Sequence, residues 1–530
     1  MRLVSLLFIS VTNLSIIFGQ NFSYSEDDWE IYSEPDRINA ITETSWEIYF
    51  AADDGIYRWD KFYETMEYSS SMSRYLDAEM IYHFYYDPNS DYFWVVHNDG
   101  ISFKSSIASY WQTANISVSS RGIKDIGSTD GIIWIDYANT YIAVDPYSGV
   151  EITPEENFNP DFIKWGYSQY GRAGRDIEVD EYFFQDDADD DNYLLNPRRI
   201  RQKPVISMQD SDGRLWVGTN LGQIYMSKNY SPYGTQIYMG MPDIDFITEI
   251  YNDGYGNWWI TDNEYKRIGY TKIRREMSPI YQWRKDSNEW FEFIAENTER
   301  HRDITVNKMI RSGYYLYIGT LNGLVILEIL EKEWTNITEG LNDPAVWDIV
   351  EKSGKLYLAT ARGIDIVKLK NNSLITNKPQ VISEFDDVEI YDLEVLNDFL
   401  YVVCKNGVFK INLKSEEVIK LTEKVFRSIE CTDDYTLLTG EGIWKLGEDN
   451  TLEQVYVYDV FKMSVSGFYV WITDMDQAVL LNLKSGQTYY YNSLDGIPGN
   501  RIFEIGCDEA WVWFGTDRGM AFYNWSRYHQ

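Results

Sequence analysis

The sequence predicts an all-β fold made of repeated four-stranded units, and three observations support this prediction. A short apolar stretch centred on an aromatic residue recurs eleven times along the 530 residues, and eight of the ten intervals lie between 35 and 45 residues. A glycine usually follows the centre six residues later. The aromatic load is high, with 43 Tyr, 24 Phe and 19 Trp. Short strands repeating at this period are typical of β-propeller blades.

Each repeat is expected to contain a buried strand, a tight turn and a further strand. The clearest copies are Leu215 to Thr219 with Gly222, Leu316 to Thr320 with Gly323, and Val512 to Thr516 with Gly519. Glycine suits such a turn because it adopts positive φ without steric cost. The eleven centres are Tyr49, Trp94, Trp134, Trp216, Trp259, Tyr317, Tyr357, Tyr401, Thr436, Trp471 and Trp513.

The length and the spacing of the repeats favour two propellers of about six to seven four-stranded blades each. One ring of eleven or twelve blades is the alternative, but it leaves a very wide channel. We predict an N-terminal propeller over 20–300, with an insertion near 150–200, and a C-terminal propeller over 301–530. The junction is expected at 271–302, which is charged and lacks the turn pattern. The long interval before Trp216 leaves room for a degenerate blade that uses 177–184.

The two termini predict how the ring closes. The last repeat stops soon after 520–523, while Trp29 to Tyr32 form a strand-like segment before the first full repeat. This N-terminal strand is expected to complete the last blade, because pairing there removes an exposed sheet edge.

The first 19 residues read as a secretory signal peptide. Arg2 precedes a largely apolar stretch from Leu3 to Phe18, and Gly19 stands at a plausible cleavage point. An uncleaved anchor is the alternative, but polar residues interrupt a stretch that is short for a membrane span. No cysteine follows for lipid attachment. We expect a secreted or periplasmic chain, or one associated with the cell surface, without membrane insertion after cleavage.

Charge and cysteine content limit the partners. The formal charge is −36, from 47 basic and 83 acidic residues, which argues against nucleic acids and anionic membranes. The dense acidic run at 185–192 lacks calcium-ligand spacing and is expected to be a solvated loop. Three cysteines exclude a full disulfide framework. Cys404 and Cys431 either pair or, as we expect, remain small buried side chains.

Several repeats resemble the two-component-regulator propeller family. The resemblance rests on the runs 494–505 and 339–349 and most closely on 205–219, Val-Ile-Ser-Met-Gln-Asp-Ser-Asp-Gly-Arg-Leu-Trp-Val-Gly-Thr. It implies seven-bladed propellers, often paired, of the kind found in periplasmic sensors of carbohydrate-responsive hybrid histidine kinases. Similar paired propellers occur in surface components of the bacterial type IX secretion system. No kinase, DNA-binding segment or sorting domain follows the repeats, so we expect a binding module.

No catalytic, cofactor or metal motif is predicted. Phosphate-binding loops, nucleophile elbows and His-Glu-x-x-His patterns are absent from the sequence, and the four histidines lack ligand spacing. Ligand-binding candidates are therefore sought in the irregular insertion, where aromatic rings and guanidinium groups could stack on a sugar and hold its polar groups. They are Trp165, Tyr167, Tyr170, Arg172, Arg198, Arg199 and Arg201. The alternative is that the rings pack an extra blade and the arginines pair with nearby acids.

Two functions follow from these observations. The first is a non-enzymatic propeller that binds a glycan or a protein partner outside the cytoplasm. The alternative is a secreted glycoside hydrolase or polysaccharide lyase on the same scaffold, since two suitably placed carboxyl groups suffice for such chemistry. The oligomeric state is not predicted.

Overall fold

The computed structural model describes residues 28–529, except for 74–75, 77–79, 154–158, 173–193, 196–200, 228–233, 238–240, 243, 245, 263–266, 269–270, 273–278, 295–304, 372, 375–382, 448 and 494. The predicted signal peptide, the acidic run and the proposed degenerate blade lie outside these residues. Eleven antiparallel sheets of blade type are present in the described part, one for each predicted centre, and we number them as blades 1 to 11. The fold is an all-β propeller.

Blades 1 to 4 occupy the N-terminal part of the chain, after the first strand β1 (Trp29–Tyr32). Blade 1 contains β2 (Ile38–Glu43), β3 (Glu47–Ala52), β4 (Gly55–Asp60) and β5 (Thr65–Tyr68), and helix α1 (Ser70–Ser73) follows. Blade 2 contains β6 (Ile81–Asp87), β7 (Tyr92–His97), β8 (Gly100–Ser105) and β9 (Gln112–Thr113). Blade 3 contains β10 (Ile123–Thr129), β11 (Ile132–Tyr137), β12 (Thr140–Val144) and β13 (Glu151–Ile152). Short strands β14 (Lys164–Trp165), β15 (Tyr167–Ser168), β16 (Leu194–Leu195) and β17 (Arg201–Gln202) precede blade 4, which contains β18 (Pro204–Gln209), β19 (Leu215–Thr219), β20 (Ile224–Ser227) and β21 (Gly234–Ile237).

Blades 5 to 8 come next. Blade 5 contains β22 (Ile247–Asn252), β23 (Asn257–Asp262), β26 (Ile280–Arg284) and β27 (Glu289–Phe293), and the hairpin of β24 (Arg267–Ile268) and β25 (Thr271–Lys272) interrupts it. Blade 6 contains β28 (Val306–Ser312), β29 (Tyr315–Thr320), β30 (Gly323–Glu328) and β31 (Glu333–Ile337). Blade 7 contains β32 (Val346–Lys352), β33 (Lys355–Thr360), β34 (Gly363–Lys368) and β35 (Ser373–Leu374). Blade 8 contains β36 (Ile390–Leu396), β37 (Phe399–Cys404), β38 (Gly407–Asn412) and β39 (Val418–Thr422).

Blades 9 to 11 complete the chain. Blade 9 contains β40 (Ser428–Cys431), β41 (Thr436–Gly440), β42 (Gly442–Leu446) and β43 (Leu452–Tyr456). Blade 10 contains β44 (Lys462–Ser466), β45 (Tyr469–Thr473), β46 (Ala478–Asn482) and β47 (Thr488–Tyr491). Blade 11 contains β48 (Ile502–Cys507), β49 (Val512–Thr516) and β50 (Gly519–Tyr523). Single 3₁₀ turns lie at Ser120–Gly122, Pro160–Phe162, Lys285–Ser287, Leu369–Asn371 and Trp525–Arg527.

The repeat pattern has a direct structural cause. Every predicted centre lies in the second strand of its blade, and the Trp and Tyr residues there pack between neighbouring sheets. The glycine begins the third strand, as at Gly519, where φ is +115° and a Cβ atom would stand 2.1 Å from the Tyr32 carbonyl oxygen. The threonine before this turn is also explained, because the Thr516 hydroxyl donates to the Gly519 carbonyl over 2.9 Å.

Blades 5 to 11 form a closed ring. Their first strands contact one another in chain order, and β48 returns to contact β22. A separate apolar cluster fills each of the seven blade interfaces. The predicted closure by the N-terminal strand is confirmed, since β1 pairs with β50 over all four of its residues as the fourth strand of blade 11.

Blades 1 to 4 are connected differently. Apolar clusters join blade 4 to blade 1, blade 1 to blade 2, and blade 2 to blade 3. The segment from β14 to β15 runs across the inner edges of these blades, because β14 pairs with β10 and β15 pairs with β2. A second closed ring stays a prediction.

The predicted domain boundary at 300/301 also stays a prediction. In the described residues, however, blade 5 packs on both sides against the C-terminal part. Trp258 and Ile260 lie in one cluster with Trp513 of blade 11, while Trp259 lies in another with Met309 of blade 6. We therefore propose a boundary near 240, which divides the blades into four and seven.

Candidate functional site

The first strands of blades 5 to 11 carry a polar or charged residue at one repeated position. In five of these blades the pairing register of the strand shifts by one residue just before this position, which indicates a β-bulge. The bulge redirects the next side chain toward the centre of the ring. The seven residues at this position are Glu249, Lys308, Asp348, Asp392, Ser428, Lys462 and Glu504.

Two lysines link these residues across blades. The Lys462 ammonium lies 3.4 Å from Glu249 Oε2 and also bonds Glu504, so it joins blades 5, 10 and 11. The Lys308 ammonium lies 3.9 Å from Asp348 Oδ1. Because Glu249, Asp348 and Glu504 are each about nine-tenths buried, the lysines offset part of the cost of burying these carboxylates, and loss of either lysine would leave a buried charge without its partner.

The aspartates also bond the backbone of the next blade. Asp348 Oδ2 accepts from the Leu393 N–H at 2.9 Å, and Asp392 Oδ2 accepts from the Ile429 N–H at 2.7 Å. Each carboxylate thus satisfies a donor at an inner sheet edge.

Carboxyl groups outnumber the lysines in this channel, and burial raises the pKa values of several of them. Two residues further along the strands, Glu394 and Glu430 add a second layer. Burial, followed by the charge of Glu430, raises the pKa of Glu394 to about 8. Burial also raises the pKa of Glu430 to about 7, although Lys308 opposes the change. The pKa of Glu504 rises to about 8 through burial, against the effect of Lys462.

The pKa values of Asp392 and Lys308 are also shifted. Burial and the neighbouring Asp348 raise the pKa of Asp392 well above its usual range. Burial acts to lower the pKa of Lys308, but the charges of Asp348 and Glu249 outweigh this effect, so the net shift of the pKa is upward. The Lys308 side chain is 47% exposed, so the channel admits water and its charges are partly screened even deep inside the ring.

Aromatic side chains rim one mouth of this channel. They lie within three residues before the channel residue of their own strand, where the first strands begin, and these strands all run in the same direction around a propeller. Trp347 is 37% exposed and Phe461 is 48% exposed. Phe246 stacks on Phe503 of the neighbouring blade, with ring centroids 5.8 Å apart. The rim therefore presents flat apolar surface above a charged interior.

A cavity of 460 Å³ opens in this rim between blades 8 and 9. Tyr391, Val425, Phe426, Arg427, Gly440 and Glu441 line it. It combines two rings with a guanidinium and a carboxylate group, which suits a ligand with both apolar and polar faces.

The predicted insertion residues take up positions on the N-terminal blades. Trp165 pairs with Gly127 of blade 3, and Tyr167 pairs with Ile41 of blade 1. The Tyr170 ring lies 5.6 Å from that of Tyr82. These three residues thus belong to the segment that crosses the inner edges of the blades.

Arg172 lies close to Trp165. Its guanidinium carbon is 5.2 Å from the Trp165 ring and 5.9 Å from the Tyr141 ring, and it pairs with Asp136. Its backbone N–H donates to Asp125 Oδ2 at 2.8 Å. Arg198 and Arg199 lie outside the described residues, and of Arg201 only the strand position is described. A ligand-binding role for this set stays a prediction.

Sequence reasoning missed the channel residues, although a signal was present. Ala-Val-Trp-Asp-Ile at 345–349 and Arg-Ile-Phe-Glu-Ile at 501–505 share an acid after an apolar and an aromatic residue. The repeat pattern explains these runs as strands, but it predicts no separate role for Asp348 or Glu504. The described residues contain no group of His, Cys, Asp and Glu arranged to hold a metal ion. All three cysteines are free, and Cys404 is buried.

Comparison with known proteins agrees with the fold. Residues 204–221 match the family model of the two-component regulator propeller. These residues form one copy of this propeller repeat. No curated protein sequence matches this chain. Across the described part of the chain, no helix is long and apolar enough to span a membrane.

Several solved structures resemble this chain. Two structures of the extracellular domain of BT4673 from B. thetaiotaomicron, described as a one-component and as a hybrid two-component system, are 14% and 13% identical. Each has a TM-score of 0.43 over 92% of this chain and 70% of that chain. PorZ, a surface component of the type-IX secretion system of Porphyromonas gingivalis, is 11% identical with a TM-score of 0.41, over 92% and 74% respectively. These similarities concern the fold.

Proposed function

We propose that this protein is an extracytoplasmic, non-enzymatic binding module that holds a glycan or a protein partner at the mouth of its seven-bladed ring. The observation that carries the proposal is the aromatic rim over the charged channel, with Trp347 and Phe461 left exposed. Exposed rings gain most when a partner covers them, and they are enriched in binding sites.

Two further features support this proposal. The N-terminal segment has the sequence pattern of a signal peptide, which supports a location outside the cytoplasm. The propeller repeat matched at 204–221 is named for two-component regulators, which supports a role in sensing or at the cell surface. The salt bridges of Lys462 account for Glu249 and Glu504 as structural groups, so no chemistry is needed to explain those carboxylates.

The mouth can be tested with paired variants. We expect the double variant Trp347→Ala/Phe461→Ala to lose at least about tenfold in affinity, since each exposed anchor is worth about 1 to 2 kcal/mol. A glycan array identifies ligands of the purified chain, and isothermal titration calorimetry measures each variant against the strongest oligosaccharide. A protein partner found by cross-linking is purified and titrated in the same way.

The matched control is Tyr314→Ala, because Tyr314 is 62% exposed but lies in the turn between β28 and β29, away from the starts of the first strands. It should bind as the unaltered chain does. Equal binding by the mouth variant and the control contradicts the proposal.

One observation favours the enzymatic alternative. The raised pKa values keep part of the Glu394 and Glu504 carboxyl groups protonated near neutral pH, as a general acid in glycoside hydrolysis requires. A purified chain that releases reducing ends or unsaturated sugars from a polysaccharide establishes the enzyme. We expect no release, and the same assay with Glu394→Gln identifies the acid if release occurs.

A further inference from the structure

Three aromatic side chains on blade 1 project into solvent. Their exposed fractions are far larger than those of the buried Trp and Tyr residues at the repeat centres. Trp46, Phe62 and Tyr63 are 76%, 79% and 73% exposed. Trp46 lies in the turn between β2 and β3, and the other two lie in the turn between β4 and β5. We call these three residues the aromatic platform. They belong to a different blade group from the channel mouth.

The two turns form one ordered surface. The Lys61 N–H donates to the Trp46 carbonyl oxygen at 3.0 Å, which joins them. Asp60 Oδ1 accepts from the N–H groups of Phe62 and Tyr63 at 2.7 and 2.8 Å. The rings of Phe62 and Tyr63 meet edge to face, with centroids 5.0 Å apart. The backbone that presents the rings is therefore held in place before any ligand binds, which lowers the entropy cost of binding.

The blade architecture does not require aromatic residues here. The same outer turn carries Lys-Ser-Glu at 414–416 in blade 8 and Lys-Ser-Gly at 484–486 in blade 10. These polar turns close their hairpins equally well. The exposed Phe62 and Tyr63 rings are thus unexplained by folding, and the exposed Trp46 lies in the turn that is bonded to theirs. An exposed aromatic patch of this kind indicates a binding surface.

The polar groups beside the platform indicate the class of ligand. Lys61 bonds Glu43, and its ammonium lies 3.5 Å from the Ser211 hydroxyl and 3.9 Å from Asp212 of blade 4. The Lys61 side chain is only 9% exposed, whereas that of Asp212 is 52% exposed. Carboxylates therefore face solvent while the lysine is enclosed. Such a border disfavours anionic ligands and accepts hydrogen bonds from hydroxyl groups.

We propose that the aromatic platform binds a neutral oligosaccharide, with Trp46 and Tyr63 stacked on its sugar rings and the bordering carboxylates accepting from its hydroxyl groups. Sugars present flat C–H faces between hydroxyl groups, which matches flat rings beside oxygen acceptors. This site is separate from the channel mouth and does not depend on it.

Affinity electrophoresis in native gels tests the platform directly. The probes are the neutral polysaccharides xylan, mannan, dextran and soluble starch, with alginate as an anionic comparison. We expect at least one neutral probe to retard the unaltered chain and alginate to leave its mobility unchanged. Trp46→Ala and Phe62→Ala/Tyr63→Ala should each weaken retardation at least tenfold, and Trp46→Phe should retain part of it.

The controls separate this site from the one at the channel mouth. Tyr314→Ala and Trp347→Ala/Phe461→Ala should be retarded as strongly as the unaltered chain. Calorimetric scans should show equal melting temperatures for all platform variants, because the side chains are exposed. Retardation by no neutral probe overturns the proposal, as does retardation that depends only on the mouth residues. Loss of a dimer in Trp46→Ala, seen by sedimentation, also overturns it, because the platform then binds a second copy.

Discussion

Replacing Trp29 by alanine is expected to destabilise the seven-bladed ring by about 3 to 5 kcal/mol, the usual cost of truncating a buried tryptophan. Trp29 is 4% exposed and stacks on Tyr523 at 4.5 Å and on Phe514 at 6.1 Å. It lies on β1, the strand that closes blade 11. Urea unfolding followed by circular dichroism measures the change in the free energy of unfolding.

The matched control is Trp46→Ala, which removes the same side chain from a 76% exposed position. Its free energy of unfolding should change by no more than about 0.5 kcal/mol. If Trp29→Ala were equally mild, β1 would not be the strand that closes the ring. Removal of residues up to Tyr32 should act more strongly, because it also exposes the edge of β50 to pairing with other chains.

The stability of the ring should fall as the pH rises from 6.5 to 8.5. The pKa values of Glu394 and Glu504 are raised to about 8 in the folded chain, and that of Glu430 to about 7, from an ordinary 4.5. The folded chain therefore holds protons that the unfolded chain has lost, and this contribution disappears as the pH passes the folded values. Calorimetry across this range should show the melting temperature falling by several degrees.

Glu394→Gln identifies the source of this pH dependence. The amide cannot ionise, so the variant should melt at a higher temperature than the unaltered chain at pH 8.5 and show a flatter profile. Glu453→Gln, on an exposed strand position, serves as the control and should leave the profile unchanged. The window starts at 6.5 because burial lowers the pKa values of His83 and His529 to about 4, so that below this point their contribution to stability rises with pH and opposes that of the glutamates. A profile that Glu394→Gln does not alter contradicts the assignment.

The sequence predicted the blades well because their signals are local. An aromatic residue such as Trp471 and a glycine such as Gly407 each act within one hairpin, through burial in the second strand and positive φ at the next turn. The pairing of Trp29 to Tyr32 with the last blade was also predictable, since an unpaired edge and an unused strand stood at opposite ends of the chain.

The arrangement of the blades and the residues that line the channel were harder to predict from the sequence. Blade 5 joins the C-terminal blades through Trp258, which packs with residues of blade 11, and Trp259, which packs with residues of blade 6. These contacts join parts of the chain that are distant in sequence. The β-bulges break the alternation that normally assigns a strand residue to one face, so sequence periodicity did not show that Lys308 and Asp348 point inward. The pairing of Trp165 and Tyr167 with blades 3 and 1 has no local signal in the sequence, because it joins strands that are distant in the chain.

The sequence by itself determined that this chain is an all-β propeller built from repeated blades and closed by an N-terminal strand. Strand, turn and hairpin depend on residues that are near one another in the chain, so their pattern survives in a single sequence. Only the tertiary structure decided that seven blades close into a ring, that its channel collects six carboxylates and two lysines, and which aromatic residues stay exposed. Those properties depend on which distant strands come together and on which face each side chain takes, and both are set by packing across the whole ring.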